Sequence, residues 1–244
     1  MVAAMSVWMW ILLIPLGVGL GVCLLVIGAG TVLVLDLSKM RFRRVAEEQL
    51  SAVVVELAAT SIDPTWLEEH GFKWYGVLHM QSQLTTTYAA SWVNDNINTF
   101  VCAYFGSVLG ETIRSTDIAT VFEPQIGLTT ADAKQSSLFP SEPGTFKQYL
   151  PERSLEERWH AHMVAFDLIC QIQRPESYRL RSLEREMSEA VESELQAVRR
   201  RFLWPLRIPW WYFIRRKLHD SKTVEQMVAE FEQRPRRVRG IDGG

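Results

Sequence analysis

Residues Val7 to Leu35 read VWMWILLIPLGVGLGVCLLVIGAGTVLVL and decide the architecture, because they include no charged side chain. A transmembrane helix needs roughly 20 apolar residues, since each residue adds 1.5 Å across a hydrocarbon core of about 30 Å. No lysine or arginine precedes Lys39, and the run is longer than the apolar core of a signal peptide, which has about 7 to 15 residues. We therefore predict that residues 1–38 form a retained single-pass anchor.

The charges beside this run predict its orientation. Lys39, Arg41, Arg43 and Arg44 follow it, whereas no basic residue comes before it. Basic residues next to a membrane span stay on the cytoplasmic side. We expect the N-terminus outside and the main domain in the cytoplasm. The three cysteines, which have neither paired nor zinc-binding spacing, are typical of such a reducing compartment.

Three glycines in the span predict a surface for helix packing. Gly17, Gly21 and Gly28 are spaced by four and seven residues and share one helical face. Gly17 and Gly21 form the small-xxx-small pattern that lets two membrane helices approach closely. The pattern predicts a homodimer or a partner transmembrane helix; the alternative is that glycine is simply common in membrane helices.

The residues after the anchor predict an α+β fold. From Phe72 apolar residues recur at every second position, in four segments rich in aromatic and β-branched side chains: Phe72–Gln81, Leu84–Val93, Ile97–Phe105 and Thr112–Phe122. Short connections between these segments indicate antiparallel neighbours. We predict an antiparallel meander of about four strands, covered by helices on one face, with the third strand in the centre.

Helical periodicity and capping residues predict the other elements and the domain boundaries. A juxtamembrane helix is expected at 39–62 and a cytoplasmic α+β domain at 63–198. Residues 220–244 are predicted to form a short helix and a basic disordered tail. The helices expected beyond residue 62 are Asp63–His70, one that begins with a Ser154 and Glu157 capping box, Pro175–Phe202 and Thr223–Gln233.

The segment 199–219 reads RRRFLWPLRIPWWYFIRRKLH and predicts a second contact with the membrane. Its apolar part, about 13 residues with two prolines, is too short to span a bilayer. Indole rings favour the headgroup layer, and each basic residue gains roughly 1 kcal/mol beside anionic lipid. The alternative is that these rings pack on the sheet. The predicted membrane-interface residues are Arg199, Arg200, Arg201, Trp204, Arg207, Trp210, Trp211, Arg215, Arg216 and Lys217.

The charge distribution argues against nucleic acid as a partner. The formal net charge is −2, but basic residues concentrate in three segments without any acid: Lys39–Arg44, Arg199–Lys217 and Arg234–Arg239. The rest of the chain is strongly acidic, which suits a body that stays off an anionic surface while its basic ends touch the bilayer. The lipid bilayer, with anionic headgroups, is the expected partner.

No motif predicts catalysis, a metal site or a cofactor. The sequence has no glycine-rich phosphate loop, nucleophile elbow or zinc spacing. His160 and His162 are two residues apart on a helix and face different sides, so they do not form a ligand pair. A hydrolase would need His79, His160 or His162 to meet an acid, and the candidate acids are Asp95, Glu123 and Asp132.

These observations favour a non-enzymatic interaction or assembly module at the cytoplasmic face of the membrane. The alternative is a module that binds a small ligand or lipid between the sheet and the loop 123–151, which prolines and glycines punctuate. A hydrolase is the least supported class.

Overall fold

A seven-stranded sheet forms the centre of the protein. The computed structural model describes residues 2–46, 62–108, 111–123, 126–132, 144–173, 182–215 and 222–233. The strands are β1 (Arg41–Arg44), β2 (Lys73–Gln81), β3 (Thr85–Asn94), β4 (Thr99–Val108), β5 (Glu111–Glu123), β6 (Ile126–Ala131) and β7 (Thr145–Tyr149). They lie in chain order, and all neighbours are antiparallel except β6 and β7, which are parallel.

Helices surround this sheet. In the described part of the chain they are α1 (Val2–Leu37), α2 (Pro64–Glu69), α3 (Leu155–Gln173), α4 (Leu183–Arg199), α5 (Trp204–Trp210) and α6 (Val224–Glu232), with a π-helical segment at Trp211–Arg215. The predicted capping box of α3 is confirmed, because the Ser154 Oγ accepts the Glu157 N–H at 3.1 Å and the Glu157 carboxylate accepts the Ser154 N–H at 2.9 Å.

The predicted meander is confirmed as β2 to β5. The turn between β3 and β4 is stabilised by Asn94, whose Oδ1 accepts the Asn96 N–H at 3.1 Å and whose Nδ2 donates to the His70 carbonyl at 3.0 Å. β4 pairs with β3 and β5 along its whole length. Its central residues Val101, Cys102 and Ala103 are fully buried, as expected for a strand covered on both faces.

The expectation of about four strands is wrong, because the sheet has seven. β1 was not expected, since its sequence RFRR holds one apolar residue and reads as a charged collar rather than as a strand. Charged side chains are typical of edge strands, where one side of the backbone is not paired. β6 and β7 are short and lie in a region rich in glycine, threonine and proline.

The juxtamembrane helix expected at 39–62 is replaced at its start by β1, which pairs with Leu78–Gln81 of β2. Residues 47–61 of that helix lie outside the described residues, as do 234–244 of the expected disordered tail. The Pro175–Phe202 helix begins in the described chain at Leu183, with Ser182 as its N-cap.

Helices cover both faces of the sheet, not one as expected. On the face that we call the α3 face, α3 and α6 pack on β5 to β7 through Ile169, Val228 and Phe146. On the opposite face, the α4 face, Leu183 and Met187 of α4 pack on β2 and β4. α4 contacts the edge strand β1 and is also bonded to the other edge strand β7 through Glu194 and Lys147.

Candidate membrane-contact surface and ligand cavity

The apolar helix α1 leaves most of its surface uncovered by the domain. Its segment Leu13–Leu37 is long and apolar enough to cross a membrane, with only 6% of its most apolar 18-residue window buried. Leu16 and Leu25 are about 70% exposed. Gly17, Gly21 and Gly28 also face open space, because a Cβ atom added at any of them would meet nothing within 4 Å.

The C-terminal end of α1 is fixed to the sheet by Asp36. Its carboxylate accepts the Gln83 N–H at 2.9 Å and the Leu84 N–H at 3.2 Å, and it also accepts the Ser82 hydroxyl, all in the β2–β3 turn. An acid at a helix C-terminus opposes the helix dipole, so these donors offset an otherwise unfavourable position. Asp36 is 4% exposed. The membrane-length helix is therefore attached to the domain through a buried polar contact.

Apolar packing adds to this attachment. Val34 of α1 is fully buried against Leu195 and Val198 of α4, with Trp204 at the edge of the cluster. This cluster joins α1 to the helix that covers the α4 face.

α5 lies directly against α1 at Gly30. A Cβ atom at Gly30 would be 2.7 Å from Cγ2 of Ile208 and 2.9 Å from its Cδ1, closer than real side chains approach. Only glycine therefore allows the two helices to lie this close. The small residue that packs within the described chain is Gly30, which was not among the predicted glycines.

The segment around α5 exposes a row of apolar side chains. Phe202 is 79% exposed, and Leu206, Trp210, Phe213 and Ile214 are each about half exposed. Pro209 is buried, so only one side of the segment faces the domain. The segment contacts α1, which leaves most of its own surface uncovered.

The predicted interface residues occupy different places on this segment. Arg199, Arg200, Arg201, Arg207 and Trp210 are exposed, and Trp211 is half-buried. Trp204 belongs instead to the cluster that joins α1 and α4. Arg215 ends the π-helical segment. Arg216 and Lys217 lie outside the described residues.

A cavity of about 330 Å³ lies between α4 and strands β4 to β7 on the α4 face. Its apolar lining comes from both layers, and Phe100, Val121 and Met187 contribute to it. Lys147, which is 7% exposed, forms an ion pair with Glu194 that connects β7 to α4 beside the cavity. The lining residues between Glu123 and Lys147 belong to the region 123–151, which the alternative interpretation of the sequence assigns to a bound ligand.

Asp117 is the most unusual group in this lining. It lies in the middle of β5, pairs in register with Cys102 and shares its face with Ala119 and Val121. Burial and the negative charge of Asp132 together raise the pKa of Asp117 to about 7, although the positive charges of Lys147 and Arg158 oppose the rise. No described residue donates a hydrogen bond to its carboxyl group. Perturbed acids in clefts are candidates for functional groups.

His162 is held by two threonine hydroxyls and not by any of the candidate acids. His162 is fully buried on the α3 face, where hydrogen bonds of 2.8 Å link its two ring nitrogens to the hydroxyls of Thr120 and Thr130. Burial lowers the pKa of His162 to about 3, so the ring is a neutral structural group. His160 is exposed, and His79 stacks on Tyr88.

The buried Cys102 is also unsuited to nucleophilic catalysis. Burial raises the pKa of the Cys102 thiol to about 12, and a thiol that does not ionise is a poor nucleophile. Within the described ranges, no group of three or more histidine, cysteine, aspartate or glutamate residues is arranged to hold a metal ion.

Three features of this surface and cavity were not predicted: the Asp36 contact, the Gly30 packing and the cavity around Asp117. For Asp117 a signal exists, since an acid interrupts the apolar face of a strand that continues with Ala119 and Val121. Comparison of this chain with protein-family models, with curated proteins and with solved structures gives no match.

Proposed function

We propose that this protein is a single-pass membrane protein whose cytoplasmic domain is held on the inner leaflet as an interaction or assembly module. The observation that carries the proposal is the packing of α5 on α1 at Gly30, since both helices expose apolar side chains outside this contact. This geometry supports two contacts with one bilayer, the span and an interfacial segment.

The depth of the contact fits an interfacial position. From Trp10 to Gly30 is a helical rise of about 30 Å, which equals the hydrocarbon thickness. With residue 10 of α1 at the outer edge of the hydrocarbon, α5 would lie where α1 leaves the hydrocarbon on the inner side. The exposed arginines at 199–201 and 207 would then reach anionic headgroups.

The contacts of α1 also support a retained anchor. A signal sequence is removed in the mature protein, and its removal here would strip the partners from Leu195, Ile208 and the β2–β3 turn. A core helix of a soluble protein would be mostly buried, whereas α1 is mostly uncovered. The tether also keeps α5 near the bilayer at high effective concentration, so α5 needs little affinity of its own.

A self-associating span belongs to the same proposal. The open face of Gly17, Gly21 and Gly28 is available to a second copy or to a partner helix. Association through this face would place two domains side by side on the same leaflet, which is what an assembly module requires.

Sealed vesicles from expressing cells would test the anchor and its orientation. The chain should resist carbonate extraction and retain α1 in its intact mass. With Cys170 replaced by serine, a cysteine at the exposed position Asp95 should react with a membrane-impermeant thiol reagent only in inverted vesicles. Loss of α1 from the mature chain, or labelling only in right-side-out vesicles, would contradict the proposal.

A further inference from the structure

We propose that the cavity between α4 and strands β4 to β7 binds a small organic cation, a primary ammonium group carried on a short apolar body. This inference goes beyond the membrane contact and does not depend on it. It gives a chemical class to the ligand-binding alternative that the sequence raises for the region 123–151.

The charge of the lining favours a cation. Lys147 is the one basic group in the lining, and it is already paired with Glu194. A cleft that carries one sign of charge between low-dielectric walls concentrates ions of the opposite sign. The carboxyl groups of the described lining are those of Asp117, Glu123, Glu186, Glu189 and Glu194, of which Glu189 is paired with Arg185 and Glu194 with Lys147.

Asp117 provides the specific contact. Its carboxyl group lies between strands and helix without a hydrogen bond from any described residue. A carboxylate in such a place is unfavourable unless a charge or a donor meets it. An ammonium group supplies both, since it carries a positive charge and three N–H donors.

The apolar part of the lining and the volume set the size of the body. Phe100, Ala119 and Val121 line the sheet side, and Met187 and Val191 line the helix side. A volume of about 330 Å³ is at the small end of ligand sites, and a cavity of about 150 Å³ is enough for benzene. A single ring with a two-carbon amine therefore fits. A bare metal ion does not, because the described acids are not grouped as ligands.

Protonation of Asp117 gives the site a pH dependence. The pKa of about 7 means that binding should strengthen about tenfold from pH 6 to pH 8, as the carboxyl ionises while an alkylammonium stays charged. The titratable groups around it come from every neighbouring element. They are Cys102 and Tyr104 of β4, Asp132 after β6, Lys147 and Tyr149 of β7, Arg158 of α3, and Glu186, Glu189 and Glu194 of α4.

Calorimetric titration of the full chain in nanodiscs of zwitterionic lipid would test the site. The probe is phenethylammonium. Phenylacetate, which has the same aromatic ring but a negative charge, is the control ligand. A titration into empty nanodiscs corrects for partition of either compound into lipid. We expect saturable binding of the cation at pH 8 and no binding of the acid. Equal or tighter binding of phenylacetate would overturn the proposal.

Two variants and a control locate the binding. Asp117→Asn should reduce the affinity at least tenfold and remove its pH dependence, whereas Asp95→Asn, at an exposed turn, should change neither. Gly127→Leu gives a second route, because a Cβ at Gly127 meets only the Thr120 carbonyl at 3.5 Å and the added side chain fills the cavity. Unchanged affinity in both Asp117→Asn and Gly127→Leu would refute the site.

The source of the ammonium can be separated in the same assay. An ethanolamine headgroup that occupies the site would compete with phenethylammonium. If nanodiscs with ethanolamine lipid weaken the affinity of the unmodified chain for phenethylammonium, but do not weaken the residual binding to Asp117→Asn, the natural ligand is a lipid headgroup. If ethanolamine lipid has no effect, the ligand is a soluble amine. Val191 lines the cavity and also packs in the α1 cluster, so the cavity lies next to the attachment of α1 to the domain.

Discussion

Replacement of Gly30 by alanine should separate α5 from α1, while the same change at Gly28 should not. The added Cβ at Gly30 would lie 2.7 Å and 2.9 Å from two carbons of Ile208. Isoleucine is β-branched and stiff at χ1, so its Cγ2 cannot turn aside easily. At Gly28 a Cβ meets nothing within 4 Å, which makes this residue a matched control two positions away in the same helix.

The expected cost follows from overpacking. Adding a methyl group to a tightly packed contact typically costs about 1 to 3 kcal/mol. Gly28→Ala should lower the free energy of unfolding by no more than about 0.5 kcal/mol. It could raise the free energy of unfolding instead, because alanine has a higher helix propensity than glycine. Ile208→Ala removes the clash, so the Gly30→Ala and Ile208→Ala pair should show a favourable coupling of about 1 kcal/mol or more.

Denaturant unfolding of the full chain in bicelles would measure these differences for the two glycine variants, Ile208→Ala and the double variant. A Gly30→Ala cost as small as that of Gly28→Ala would refute the close contact between α1 and α5. Additive effects of Gly30→Ala and Ile208→Ala would refute it as well.

Three further predictions follow from the structure. Asp36→Ala should destabilise the protein by about 3 kcal/mol in thermal or denaturant unfolding, because buried N–H groups of the β2–β3 turn lose their acceptor; a cost under about 1 kcal/mol would contradict this role. The carboxyl of Asp117 has its folded pKa raised from 3.8 to about 7, so its stabilising contribution is present below pH 3.8 and is lost as pH rises through 7. Asp117→Asn should thus be more stable than the parent at pH 8, by up to about 4 kcal/mol. Because His162 acts in the opposite sense, losing stability as pH falls from 6.5 towards 3, the same variant should lose stability more steeply with acid than the parent does. Parallel pH curves of parent and variant would refute the assignment of Asp117, and a variant that keeps its stability between pH 6.5 and pH 3 would refute that of His162. Gly17→Leu with Gly21→Leu should abolish self-association of the span in a membrane dimerisation assay, and unchanged association would remove the dimer from the proposal.

Local signals in the sequence predicted much of the fold. The capping box at Ser154 is confirmed because it depends on residues three positions apart, and the short helix expected from Thr223 begins there with Thr223 as its N-cap. The strands β2 to β5 were predicted because period-two patterning is also local. β1 was missed because edge pairing of RFRR depends on β2, which lies about thirty residues further along the chain.

The candidate site depends more on distant contacts and was less predictable. The spacing of Gly17, Gly21 and Gly28 is visible in the sequence, but Gly30 is special only because Ile208 returns to it. Likewise Asp117 is unusual because α4 covers its strand. The sequence pattern predicts helices on only one face of the sheet. It therefore predicts no second helical layer that could enclose a cavity between α4 and the strands.

The central claim is that α5 touches the bilayer beside the span, and its depth can be measured directly. Nitroxide labels would be attached at Leu206→Cys and at Phe213→Cys in the full chain, with the native cysteines replaced and the protein in liposomes. Collisions of each label with oxygen and with a water-soluble nickel chelate would then measure its depth in the membrane. A label at Asp95→Cys, about 30 Å along β3 from the turn that holds α1, serves as the aqueous control. We predict that positions 206 and 213 are more accessible to oxygen and shielded from nickel, whereas position 95 is open to nickel. Nickel access at 206 and 213 equal to that at 95 would contradict the membrane contact of α5.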